Sequence, residues 1–266
     1  MVTTQVRDEL GAAINAYWDN RAQTYSNGIQ NELAGYGRCT WQRALAHAIE
    51  DTCNAAAREK RVVRALDLGC GPGFFSILLA DEGCAVDAVD MSARMLERAR
   101  ANAAQAVPDA NITYYQCDAA NLPFQSNVFD LAVSRNLTWL MRDPEGAYAE
   151  WLRVLRPGGK LLVFDANWYR YLVDDDVDAA RRSDQANAQV YDKGSRATDD
   201  EERRCELIAA ELPLTSVVRP QWDIQVLERL GATRVSVNER AWRDLWSSEE
   251  QAYYGSSPLF MIEARK

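Results

Sequence analysis

A chain of 266 residues, 47% hydrophobic and 26% charged, can bury a sizeable core and has the make-up of a globular protein. Its formal net charge of -9 and the lack of any Lys/Arg block argue against nucleic acid as a partner. No run approaches the roughly 18 apolar residues of a membrane span, MVTTQVRDEL lacks the blocks of an export signal, and the six cysteines form no C-x-x-C pair, so the expectation is reduced thiols, no metal and a cytoplasmic location.

Leu10, Ile14 and Trp18 recur at four-residue spacing and predict an amphipathic helix over about Val6 to Trp18, leading into YWDNRAQTYSN, Tyr17 to Asn27. A second helix is predicted over Asn31 to Cys53, with Trp41, Leu45 and Ile49 along one stripe. His47, the only histidine, lies there without a partner motif and reads as a surface or packing residue.

The apolar run Val62 to Leu68 predicts a buried strand, and Phe74 to Ala80 resumes with helical spacing. Gly69, Gly71 and Gly73 stand between them. Glycines at alternate positions allow positive φ and let a ligand lie against the main chain. The pattern D-x-G-x-G-x-G from Asp67 differs from a dinucleotide fingerprint, which needs its third glycine where Phe74 stands. AVDAVDMS then predicts a strand ending at Asp90, with Ser92 as N-cap of the next helix. An acid there faces the crevice and accepts both hydroxyls of a ribose, whether the ligand is a nicotinamide or an adenosyl cofactor. Met91 is placed to pack on adenine.

A third strand begins at Ile112 and ends in Cys117 and Asp118, and a fourth, Val128 to Val133, runs into SRNLTW. Asp143, Pro144 and Glu145 start a helix by cap, first-turn proline and dipole charge. Arg156-Pro157-Gly158-Gly159 stops it, and Lys160 to Phe164 is the fifth strand. From Trp168 to Pro220 the alternation pauses in a charged, helical stretch, with a solvated helix end at Asp174 to Asp176 and a capped helix from Thr198. A helix capped by Asp223 and ended by Gly231 precedes strands at Thr233 to Val237 and Leu259 to Ala264.

Strands alternating with helices predict a mostly parallel sheet whose ligands bind beyond the strands' carboxyl ends. That singles out Ser134, Arg135, Asn136 and Trp139 after the fourth strand, and Asp165, Asn167, Trp168, Tyr169 and Tyr171 after the fifth. Asp165 is a candidate base, Asn136 and Asn167 are candidates to orient an acceptor, and the aromatic residues suit the wall of a flat or cationic substrate.

The glycine motif, the L-P-F after Asp118 with VFDLAVSRN, and L-R-P-G-G-K-L resemble class I S-adenosylmethionine (SAM) dependent methyltransferases of the small-molecule branch, which includes quinone and metabolite enzymes. The resemblance covers Leu66 to Ala166 well and the N-terminal segment loosely. S-R-N-L-T-W departs from the [DNS]-P-P-[YFW] motif of base-methylating relatives and leaves small-molecule acceptors. It implies a Rossmann-like α/β fold with a seven-stranded sheet, antiparallel only in its last strand, and flanking helices. With no internal repeat or linker, one domain is expected: a helical cap (1–60), a SAM-binding core (61–167), a helical lid insertion before strand six (168–220) and the rest of the sheet (221–266).

The resemblance places SAM, and the product S-adenosylhomocysteine, on Asp67, Gly69, Gly71, Gly73, Asp90 and Met91. Asp118 would accept from the adenine amino group, the Ala119 amide would meet a ring nitrogen, and Arg135 at the strand end and Arg21 and Tyr25 of the cap would complete the site. Asn136, Asp165 and Tyr25 are the candidate catalytic residues, and Asn136, Trp139, Asn167, Trp168, Tyr169 and Tyr171 the substrate pocket. The expected reaction is in-line methyl transfer to an O, N, S or C nucleophile by a monomer or homodimer. A nicotinamide-dependent oxidoreductase and a non-catalytic SAM-binding protein are the alternatives, and Cys39, Cys53 and Cys205 raise thiolate methylation of a metalloid.

Overall fold

A computed structural model of the chain describes residues 4–188 and 197–266. Two long helices open it, α1 (Thr4–Ala34) and α2 (Tyr36–Arg58). There follow β1 (Arg64–Leu68), α3 (Phe74–Asp81), β2 (Ala85–Asp90), α4 (Ala93–Ala106), β3 (Ile112–Gln116), β4 (Phe129–Arg135), α5 (Pro144–Val154) and β5 (Leu155–Asp165). Helices α6 (Asp175–Asn187) and α7 (Asp199–Ala210) form the insertion, of which residues 189–196 lie outside the described part. The chain ends with α8 (Gln221–Arg229), β6 (Thr233–Asn238), α9 (Ala241–Leu245), α10 (Ser248–Tyr253) and β7 (Phe260–Arg265).

The strands form one sheet in the order β3-β2-β1-β4-β5-β7-β6, with β7 antiparallel to both neighbours and the other pairs parallel. Strand periodicity builds two cores from the same strands. Ala65, Leu131, Val133, Leu162 and Phe164 face α2 and α3, where Trp41 meets Phe75 and Phe164 edge-on. Leu66, Leu68, Ala132, Leu161 and Val163 face Tyr148 and Trp151 of α5. The order reverses between β1 and β4, so the turn after β1 and the ends of β2, β3 and β4 open on a common crevice.

Sequence expectations shift at several points. Helix α1 does not stop near Trp18, because Ala22, Ile29 and Leu33 prolong its buried stripe to Ala34, where Gly35 separates it from α2. Ser134 and Arg135 belong to β4 itself. Asp223 is not the cap of α8; Pro220 holds that position, and Asp223 sits one turn inside, fully buried against Arg219 and Tyr148. Helices α9 and α10 had no sequence counterpart, being too short for periodicity to register.

Candidate active site

The turn after β1 takes its shape from its glycines. Gly69 and Gly71 have φ of +61° and +49°, and a Cβ on Gly69 would stand 2.6 Å from the Leu137 side chain. A Cβ on Gly71 would instead project into the crevice, its nearest neighbour being the Tyr25 ring at 3.8 Å. Gly73 serves packing: its Cβ would meet Ala99 of α4 at 3.2 Å. Asp67 also faces inward, accepting from the Ser76 hydroxyl of α3, and burial pushes its carboxyl up to about 7. Neither residue lines the crevice.

Asp90, at the end of β2, accepts the Gly71 amide on one oxygen at 2.9 Å and the Ser92 amide on the other at 2.8 Å. Each oxygen keeps a second lone pair for a vicinal diol. Burial raises the Asp90 carboxyl to about 6. Asp118 binds the Ala120 amide at 2.9 Å and the Arg142 guanidinium at 2.6 Å, while Met91, Met95, Ala119, Leu137 and Met141 supply apolar wall. The crevice holds about 300 Å³.

A second cavity of about 310 Å³ lies beneath α1 and shares Trp18, Tyr25 and Asn136 with the first. Its walls include Tyr17, Trp139, Trp168, Tyr169, Tyr171 and Tyr254. Asn136 stands where the two cavities meet, at φ +56°, and its side-chain carbonyl is buried without a partner. The Asn136 side chain bonds the Tyr25 phenol, whose ionisation burial pushes upward. Helix α1 is fastened over both cavities by the Ser92 hydroxyl donating to Asp19, by Arg98 to Gln23 (2.8 Å) and by Arg21 to Glu201 of α7 (3.3 Å).

Several candidates are placed elsewhere. Arg21 lines the inner cavity, not the crevice. Arg135 touches the crevice, yet its guanidinium is bound to Glu32 at 2.9 Å and sandwiched by Trp41 and Phe74. Asn167 turns away to bond both backbone groups of Arg219. Asp165, fully buried, accepts from Arg219, the Trp139 amide, the Trp168 indole and the Ala166 amide, and reaches neither cavity.

The three thiols do not converge. Cys39 is exposed, Cys53 lies against Cys84, and Cys205 takes the hydroxyls of Tyr17 and Tyr169 in the inner cavity, so these three form no common thiolate site. His47 is exposed on α2 and lines neither cavity. Sequence reading missed Met95 and Leu137 of the crevice and Tyr17, Tyr253 and Tyr254 of the inner cavity. The Leu10, Ile14, Trp18 stripe carried the only usable signal, since it pointed α1 inward.

The sheet order and the crevice at its reversal point make a Rossmann-like α/β fold with one antiparallel strand. Residues 66–163 match the methyltransferase domain family. It is 39% identical over 136 residues to the malonyl-[acyl-carrier protein] O-methyltransferase of Enterobacter lignolyticus, covering 50% of this chain and 52% of that protein. It is 32% identical over 171 residues to the ubiquinone/menaquinone biosynthesis C-methyltransferase UbiE of Serratia proteamaculans, covering 61% and 62%. The matches thus span about half to under two thirds of these relatives. Among solved structures, the S-adenosylmethionine dependent methyltransferase of Mesorhizobium loti shares the fold at TM-score 0.51 and 24% identity, covering 77% of this chain and 91% of that one.

Proposed function

We propose that this protein transfers a methyl group from SAM to a small-molecule acceptor. The observation that carries the reading is the meeting of a glycine- and acid-lined crevice with an aromatic cavity at Tyr25 and Asn136. Such a pair of joined cavities brings two reactants into line, which is worth about 7–11 kcal/mol in the best intramolecular cases. The bound SAM supplies an electrophilic methyl on a sulfonium.

The chain's own residues do the rest. The Asp90 carboxylate holds the ribose diol, the bare Gly71 admits the cofactor to the backbone, and Met91 and Met95 pack the adenine. Asp118 and the Ala119 amide mark the adenine edge. Tyr25 and Asn136 position the acceptor atom, and the surrounding rings exclude water. In this reading Asp165 is a positioning residue and not a base.

The nicotinamide alternative is disfavoured because Phe74 fills the third-glycine position and packs in the core against Trp41. A non-catalytic SAM-binding protein would have no use for the second cavity. The net charge of -9 and the small size of the inner cavity, about 310 Å³, support a small molecule over a nucleic acid, and among the described residues no helix is long and apolar enough to cross a membrane. We place the protein in the cytoplasm on its unpaired thiols.

Calorimetric titration with SAM and with NADH, followed by methyl transfer from labelled SAM to a metabolite extract, tests the proposal. Binding of SAM alone with a labelled small-molecule product is expected. Preference for NADH, or binding without any product, overturns it.

A further inference from the structure

Aromatic walls by themselves suit a cation or a flat neutral body, so the charged side chains of the inner cavity decide between them. Arg21 is 4% exposed and committed to Glu201 and Thr24. Arg181 of α6 is held far more loosely. Paired guanidinium groups make charge-assisted bonds of about 2.7–2.9 Å, often two at once. Arg181 has none of these: Asp178 and Gln185 stand at 3.4 Å, Glu202 is at 3.9 Å, and its Nε is buried with no partner. Asp178 is itself bound more tightly by Arg182.

What holds Arg181 in place is an aromatic face. Its guanidinium lies 3.9 Å from the centroid of Tyr171, whose hydroxyl donates to Glu206 at 2.9 Å. That geometry has two consequences. A cationic acceptor would find this ring face already taken by a like charge. An anion would find a guanidinium whose carboxylate neighbours, Asp178 and the cavity-lining Glu202, stand at 3.4 Å and 3.9 Å and make no close charge-assisted bond, beside the ring stack of Trp139, Tyr169 and Tyr171.

Resting on the reading of the inner cavity as the acceptor site, we propose that it receives a planar aromatic acceptor bearing a carboxylate. The ring packs on the Trp139, Tyr169 and Tyr171 stack, and the carboxylate is bound by Arg181. Arg181 thereby sets substrate choice at the end of the cavity away from the crevice, without taking part in the methyl transfer.

The test uses the whole protein saturated with S-adenosylhomocysteine. Benzoate, cinnamate and indole-3-acetate are each compared by calorimetry with their primary amide and with benzylamine, cinnamylamine and tryptamine. At least one carboxylate is expected to bind about tenfold more tightly than both its amide and its amine. Arg181→Gln should bring that carboxylate to within about twofold of its amide, Arg181→Lys should retain part of the preference, and neither should alter affinity for S-adenosylhomocysteine. The proposal is overturned if no carboxylate outbinds its amide and amine, if an amine binds most tightly, or if Arg181→Gln keeps the preference. Failure of S-adenosylhomocysteine to bind would refute the cofactor reading instead, and the same ligand comparison on the protein alone would still decide the role of Arg181.

Discussion

Asp165 and Arg219 meet at 2.7 Å with both side chains sealed from solvent, and the Trp139 amide and Trp168 indole hang on the same carboxylate at 3.1 Å. Two walls of the inner cavity are therefore set by one buried ion pair. Arg219 reaches on to Asp223, which also takes the Tyr148 hydroxyl.

Breaking this network at Arg219 strands two buried carboxylates, so Arg219→Met should lose about 3–5 kcal/mol of stability in urea denaturation. Asp165→Asn leaves Arg219 paired with Asp223 and should cost less. Its effect on turnover discriminates the two roles considered for Asp165. A positioning residue raises the acceptor KM and leaves the shape of the pH–rate profile intact, whereas loss of one limb of that profile would identify a base.

Cofactor affinity should depend on pH through Asp90. Only the ionised carboxylate offers acceptors for both ribose hydroxyls, and burial has moved its titration to about 6. SAM binding is expected to weaken as pH falls from 7.5 to 5 and to be nearly flat over that range in Asp90→Asn. Asp90→Ala should weaken binding roughly hundredfold, the size of two lost charge-assisted hydrogen bonds. Calorimetry at stepped pH measures both; unchanged affinity in the alanine variant would remove Asp90 from the site.

The two crevice glycines should fail differently. Alanine in the left-handed region costs about 1–2 kcal/mol at either position. At Gly69 the added methyl also meets Leu137 at 2.6 Å, so Gly69→Ala should lower the melting temperature more than Gly71→Ala. Gly71→Val should fold and yet fail to bind SAM, because its side chain fills the crevice.

Asn136 adopts φ +56°, which glycine accepts without strain. Asn136→Gly should therefore keep its thermal stability while lowering kcat on the order of ten- to a hundredfold through lost alignment, with SAM affinity within about twofold of wild type. An unaltered kcat would show that the junction of the cavities does not position the acceptor.

What could be read directly from the chain was whatever a few neighbouring residues decide among themselves. Ser92 and Asp143 were legible as helix caps because an N-cap needs only an amide two or three residues on, and each accepts that bond. Asp90 was legible because a strand, a glycine turn and a helix of ordinary length return the next strand end to the same edge. The seven strands followed from alternation, with boundaries shifted by a residue or two except at β5, which begins five residues early at Leu155 and takes in Arg156 to Gly159.

The inner cavity obeyed no such local rule. Arg21 and Glu201 are 180 residues apart, Asp165 and Arg219 are 54 apart, and Tyr254 directly follows a helix too short to show a period. Asp67 and Gly73 belong to the same motif as Gly71, yet the helices packed on either side of the turn send them into the protein interior. Local pattern could thus determine the sheet and its cofactor edge, since backbone geometry repeats from protein to protein. Which side chains wall the inner cavity, and how loosely Arg181 is held among them, depended on how distant helices pack, and only the folded chain decided that.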